Sequence, residues 1–267
     1  MVAHPASLRL HAVTAARRIR AGRGLRLRRY EVRVPGLDPA HDGVRIAHLT
    51  DIHVGVLTPR ARVERAVELV REAQPHLVAM TGDFVCYAPR FVEPMGQLLG
   101  GLGGEVLCVL GNHDYWVSPG GVTRALERQG YSVLRNQHRE LRIAGAALRV
   151  VGIDDAITGH HDVARSFAGL PPTSGVTTLA LTHAPNLADA AVARGAQLVL
   201  AGHTHGGQVM IPRVTERIIR RMGNRYLAGF YRVGPGLLYV NCGIGSSALP
   251  LRAGAPAEVA ILTLRRG

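Results

Sequence analysis

The run Val106-Leu107-Cys108-Val109-Leu110-Gly111-Asn112-His113-Asp114 decides how the chain is read. Five apolar residues make a strand-length segment without the alternation of a half-exposed strand, as buried parallel strands do. The run then stops in a glycine followed by Asn, His and Asp. The same pattern recurs. Val44–Leu49 leads to Asp51-Ile52-His53, and Leu77–Met80 leads to Gly82-Asp83. Thr178–Leu181 leads to Thr182-His183, and Leu198–Leu200 leads to Gly202-His203-Thr204-His205. In α/β sheets the ligand site lies beyond the carboxyl ends of the strands. Five such ends would bring these side chains to one rim.

Helices are expected between the strands. Thr58-Pro59 reads as a cap with proline at the first helical position, and Val63, Ala66, Val67 and Val70 give one apolar face up to Pro75. Ser118-Pro119 opens a second helix that stops at Gly130, and Asn186 caps a third that ends at Gly195. Further strands are expected at Tyr30–Val34, Gln208–Ile211, Leu237–Asn241 and Val259–Leu264. The pattern predicts one α/β domain over residues 30–267, with mixed sheets and helices outside them.

Composition bounds the rest. The 267 residues are 47% hydrophobic, enough to bury a core, and no apolar run reaches the ~18–20 residues of a spanning helix. Three Cys (Cys86, Cys108, Cys242) exclude a disulfide scaffold, and their wide spacing argues against a thiolate zinc site. The net charge is +13, carried by 32 Arg and no Lys. Residues 1–30 hold eight Arg and no acid, and the remaining 237 residues net only +5. Residues 1–29 therefore form a basic arm, with an amphipathic helix expected over Ala6–Ala21. A solvated tail, an anionic membrane contact and, less favoured, a nucleic-acid contact all fit such an arm. Arg17-Arg18 looks like the pair of a twin-arginine signal, but Gly22, Arg23 and Gly24 follow where an apolar stretch would stand. The expected location is cytoplasmic, peripheral at the inner membrane face.

The residue types at the strand ends fit metal binding. Asp, Asn and neutral His offer O and N donors that suit divalent ions. The i,i+2 spacing of Asp51 with His53, and of His203 with His205, lets an extended segment aim both side chains one way. Two ions bridged by one carboxylate, about 3.5–4 Å apart, clamp an in-line displacement at phosphorus.

All five motifs together resemble the signature of the calcineurin-like metallophosphoesterases. The resemblance covers residues 44–264, and Gly202–Pro212 and Leu237–Leu264 are similar to the small bacterial phosphodiesterases of that family, some of which cleave the lipid-linked pyrophosphate UDP-diacylglucosamine. It implies a four-layer sandwich of two mixed β-sheets flanked by α-helices. It implies two divalent metal ions (Mn, Fe, Zn or Mg), the first held by Asp51, His53 and His205, the second by Asn112, His183 and His203, with Asp83 bridging. His113 would act at the phosphoryl oxygen or the leaving group. The expected activity is phosphodiester or pyrophosphate hydrolysis by metal-hydroxide attack at phosphorus. Many relatives carry a second Asp three residues after the bridging one; here that position is Cys86, and a thiol carries little charge. The alternative is therefore a catalytically impaired metal-binding protein that docks on membrane or nucleic acid through its arm.

Other residues are read more plainly. His48 is expected to be a packed or surface histidine. Asp154-Asp155 and His160-His161-Asp162 read as a solvated loop, or as a lid on the substrate side. Residues 213–232 hold six Arg against one Glu, with Val214, Ile218 and Met222 at helical spacing. This is either an ordinary amphipathic surface helix or a cationic, partly apolar cap that meets an anionic or lipid-bearing substrate. Asn112, His113 and Arg213 are the candidate substrate contacts.

Overall fold

The protein's structure, a computed structural model, describes residues 13–20, 24–171, 175–221, 223–247 and 249–267. Strands β1 (Val13–Arg20), β2 (Leu25–Val34), β3 (Arg45–Leu49), β4 (Leu77–Thr81), β5 (Glu105–Val109), β6 (Ser132–Val133) and β13 (Ala257–Arg266) form one sheet, in the order β1-β2-β13-β3-β4-β5-β6. Strands β7 (Gln137–Ile143), β8 (Ala146–Ile153), β9 (Thr177–Thr182), β10 (Leu198–Ala201), β11 (Gly229–Val233) and β12 (Gly236–Val240) form the second, in the order β11-β12-β10-β9-β8-β7. Both are mixed. β3, β4 and β5 run parallel in the first sheet, and β8, β9, β10 and β12 run parallel in the second.

Alternation along each strand builds the layers. In β3, Ile46 faces the second sheet, while Ala47 and Leu49 face the helices. Between the sheets, Ile46, Leu77, Leu107 and Leu262 pack against Leu148, Leu179, Leu200 and Leu237. Helices α1 (Arg60–Ala73), α2 (Val92–Leu99) and α4 (Pro119–Glu127) cover the first sheet through Val63, Val67, Met95 and Leu126. The short α6 (Ala188–Val192) covers the second through Ala188 and Ala191. The helix layers and two sheets make the expected four-layer sandwich. Emptying one inter-sheet leucine to alanine would cost about 2–5 kcal/mol. Three further short α-helices lie among the described residues: α3 (Asn112–Val117), α5 (Val163–Ser166) and α7 (Val214–Arg221).

Several local expectations give way to tertiary contacts. The helix expected over Ala6–Ala21 is a strand over Val13–Arg20, and residues 6–12 lie outside the described residues. β1 pairs antiparallel with β2 in a register that sets Arg18 opposite Arg28 and Arg20 opposite Arg26. Leu25–Arg29, read as the end of the arm, lies within β2, and the Arg28 guanidinium pairs with the buried Glu258 at 2.5 Å. Gln208–Ile211 is no strand; only Val209 bridges to Ala253 and Gly254. Asn186 caps no helix, because its side chain binds the backbone of Gly223 and Arg225. Thr58 also serves tertiary structure, its hydroxyl accepting from Ser246 N.

Candidate metal centre

The loops after β3, β4, β5, β9 and β10 meet at one rim and carry all seven candidate ligands. Their backbones are bonded to one another before any side chain contributes. Asp51 N donates to Gly82 O at 3.0 Å, His53 N to Asp83 O at 2.9 Å, and Gly202 N to His183 O at 3.2 Å. Five of the seven residues have left-handed backbone: Asp51 (φ 49°), His53 (47°), Asp83 (56°), His203 (72°) and His205 (54°). Each such conformation costs of order 1–3 kcal/mol, and such residues gather at functional sites. Asp, Asn and His tolerate it better than most residues. Gly82 (φ 87°) is required here, since a Cβ would sit 2.5 Å from Gly111 N.

The side chains converge. Oδ2 of Asp83 lies 3.5 Å from Nε2 of His53 and 3.3 Å from Nε2 of His183, so one carboxylate oxygen faces both halves of the site. Its Oδ1 accepts from His113 N at 2.9 Å, which fixes the carboxylate. In the first half, Nε2 of His205 is 3.3 Å from Asp51 Oδ1 and 3.0 Å from Nε2 of His53. The ligand atoms of Asp51, His53, Asp83 and His205 all lie within 4.8 Å of one another. In the second half, Nδ1 of His203 is 3.3 Å from Nε2 of His183. Asn112 is buried at the start of α3, and its Oδ1 has no hydrogen-bond partner.

This arrangement fits divalent cations. Asn112 Oδ1 is an acceptor paid for by burial and left without a donor, and such atoms call for an explanation. His183 Nδ1 stands 2.7 Å from Thr81 O, a group that only accepts, so Nδ1 carries the proton. Its Nε2 lone pair then points at a carboxylate, and a positive charge must lie between them. Without an ion a proton serves. Burial opposes the charge on His183, but Asp83 outweighs it and lifts the pKa to about 10. Burial pushes His53 down to about 3, which keeps it neutral and able to ligate. Burial would raise Asp83, yet His183 and His53 hold it well below the usual carboxylate range.

His113 sits in α3 at the edge of the cluster, half-buried. Its ring meets His53 edge-on at 4.7 Å and Trp116 at 4.8 Å. Nδ1 lies 3.3 Å from Cys86 Sγ, so Cys86 does occupy the place of a partner to this ring. Burial pushes the thiol up to about 11, so it is uncharged at neutral pH. Arg213 is exposed just before α7 with φ of 66°, and none of the contacts that join the seven side chains involves it.

Three features were not read from sequence. Asp114 accepts four buried backbone N–H groups, from Gly111, Asp83, Phe84 and Val85. It clamps the β4 loop to the β5 loop; burial and the Asp83 charge push its pKa up to about 8. Arg252 donates to the carbonyls of Cys242, Gly245 and Ala255, with Nη2 3.0 Å from His205 Nδ1. Asp154 and Asp155, read as a solvated loop, are buried, and Asp154 accepts from Tyr115 at 2.6 Å and Arg135 at 3.1 Å. His48 is packed, as expected, with Nε2 2.9 Å from Thr81 Oγ1.

Comparison with known proteins agrees with this geometry. The chain is similar to the uncharacterized metallophosphoesterase YkuE of Bacillus subtilis, 29% identical over 84% of this chain and 80% of that one. It is 28% identical to the phosphodiesterase YaeI of Escherichia coli over 82% of each chain. The fold matches TT1561 of Thermus thermophilus with a TM-score of 0.52 at 14% identity, over 75% of this chain and 90% of that one. The sequence model of the calcineurin-like phosphoesterases matches residues 44–207, the stretch that supplies every one of the seven converging side chains, and the chain belongs to that family.

Proposed function

We propose that this protein is a dinuclear-metal phosphodiesterase or pyrophosphatase whose substrate is anionic and lipid-linked. The observation that carries the reading is Asp83 Oδ2, set 3.5 Å and 3.3 Å from histidines of the two halves of the site. Asp51, His53 and His205 would hold one ion, Asn112, His183 and His203 the other, and Asp83 both. Bound divalent ions supply Lewis acidity at a phosphoryl oxygen and lower the pKa of water.

The chain's own groups do the rest. The His113 backbone is held by Asp83, and its ring meets His53 edge-on at the margin of the site. With Nδ1 turned to Cys86, Nε2 is the ring atom free to deliver a proton to the leaving oxygen. The Arg-rich α7 follows directly on the His205 loop and favours an anionic substrate. The relative YaeI is named a phosphodiesterase, which supports the diester class. On this reading the protein works at the anionic cytoplasmic face of a membrane.

A second reading, a metal-binding protein impaired in catalysis, rests on the uncharged Cys86 beside His113. One assay separates the two: hydrolysis of a bis-aryl phosphodiester with added Mn²⁺ by wild type and His203→Ala. The phosphodiesterase reading expects turnover that falls at least about 100-fold in the variant, as for loss of a metal ligand's transition-state stabilisation. Equal rates in both proteins would contradict it. A parallel panel of phosphomonoesters, diesters and nucleoside-diphosphate lipids identifies the substrate class.

A further inference from the structure

Among the described residues, every large apolar side chain that stands exposed belongs to a loop or helix after the carboxyl end of a strand. Val56 follows β3, Tyr87 follows β4, and Trp116 lies in α3 after β5. Ile157 follows β8. Ile211, Val214 and Ile218 follow β10, and Leu249 and Leu251 follow β12. Their exposures run from 47% to 67%. Random scatter of surface apolar residues is ordinary, but confinement to one face is not.

These loops form a continuous arc. Trp116 packs on His113, whose ring touches Cys86, the neighbour of Tyr87. The Tyr87 hydroxyl donates to Ser247 O, at the base of the Leu249 loop. Gln208 Nε2 donates to Leu249 O at 2.8 Å, and Met210 N donates to Ala253 O at 2.7 Å, which lays the two segments side by side. Thr215 Oγ1 then ties the first turn of α7 to Val209 O at 3.0 Å. Arg213 just before α7, and Arg217, Arg220 and Arg221 along it, are exposed, against Glu216 alone.

We infer that this rim is a docking surface for an anionic phospholipid bilayer, with the candidate metal centre opening toward the headgroups. Charge selects the partner: four arginines beside exposed aliphatic side chains match an interface of anionic headgroups over acyl chains. Shape agrees. The apolar side chains sit on separate loop tips arranged as an arc, which suits a plane better than a single protruding partner. Most are aliphatic and offer no stacking platform to nucleic-acid bases. The inference deepens the membrane location proposed above and rests on that reading for its setting, but vesicle binding holds or fails independently of whether the centre hydrolyses a phosphodiester.

Trp116 is the one tryptophan of the chain, so its fluorescence reports on the rim directly. Full-length protein would be mixed with phosphatidylcholine vesicles, with and without phosphatidylglycerol. The expected result is co-sedimentation and a blue shift of Trp116 emission with phosphatidylglycerol only. Ile218→Asp combined with Leu251→Asp, both exposed in the free protein, should weaken binding roughly tenfold, as should Arg217→Ser with Arg220→Ser. Melting temperature should stay unchanged in both variants, and hydrolysis of a soluble diester should stay unchanged in the Ile218→Asp, Leu251→Asp variant. Wild-type protein that ignores the vesicles would overturn the inference. So would variants that bind like wild type, which would assign the contact to other arginines, and so would a shift of the same loss from vesicles to an oligonucleotide probe.

Discussion

Nη2 of Arg252 lies 3.0 Å from Nδ1 of His205, while Nε2 of the same ring faces Asp51 Oδ1 at 3.3 Å. A guanidinium only donates, so Nδ1 accepts and the proton of the neutral ring sits on Nε2. A neutral imidazole that ligates a cation through Nε2 must instead carry its proton on Nδ1, where it would meet an Arg252 N–H. Metal loading is therefore expected to open this contact. Arg252 keeps its bonds to the carbonyls of Cys242, Gly245 and Ala255, so it need not unfold to retreat. A crystal structure of the Mn²⁺-loaded protein checks this. A contact retained at hydrogen-bond length would show that His205 does not ligate through Nε2.

Cys86 separates charge from contact. Its sulfur touches His113 Nδ1, yet the thiol, pushed up to about 11 by burial, brings no charge. Cys86→Ser should change kcat less than about threefold, because a neutral contact replaces a neutral contact. Cys86→Asp should raise kcat about tenfold, since a carboxylate orients the ring and favours its protonated form. His113→Ala should lower kcat about 100-fold or more in either background. A Cys86→Asp rate no higher than wild type would remove the charge argument.

Asp114→Ala should destabilise the protein without removing any of the seven candidate ligand side chains. Four buried N–H groups lose their acceptor, each worth about 1–3 kcal/mol when unsatisfied, though water entering the gap would recover part. A loss of roughly 4 kcal/mol in urea unfolding of the metal-free protein is expected on that basis. A loss below about 1 kcal/mol would mean that the β4 and β5 loops hold together without this clamp.

His48 gives a pH dependence of known sign. Burial lowers its pKa from 6.5 to about 3, so the folded state resists a proton that the unfolded state takes up. Its contribution to stability is complete above pH 6.5 and is lost as pH falls from there toward 3. Unfolding free energy of metal-free wild type, measured from pH 7 to pH 4.5, should therefore fall more steeply than that of His48→Leu. The difference approaches one proton, about 1.4 kcal/mol per pH unit, at the acid end. Parallel curves would show that His48 takes up its proton without unfolding.

Much of the site was legible because its signals are local. Asp51-x-His53 and His203-x-His205 end apolar runs, although all four residues are left-handed rather than on the extended segments their spacing suggested, a backbone that Asp and His tolerate. Asp83 and Asn112 follow strands that must be buried on both faces, so their place at the rim follows from topology. What escaped depends on long-range partners. Asp114 looks like one more polar residue of Gly111-Asn112-His113-Asp114 until the amides of residues 83–85 arrive from another strand. Arg252 approaches His205 from a loop 47 residues away. Over Val13–Arg20 the helical period yielded to pairing with β2, where strand bonding overrides a weak propensity. Gln208–Ile211 alternates like a strand but follows Gly206 and Gly207, both at positive φ, and leaves the sheet.

The central claim is that one carboxylate, Asp83, joins two cations. Metal content of purified protein after Mn²⁺ loading and desalting tests it most directly, by comparing wild type with Asp83→Asn. The expected result is about two equivalents per chain in wild type, as a two-metal site requires, and fewer than about one in the variant. One equivalent or less in wild type, or two equivalents retained by Asp83→Asn, would contradict the account.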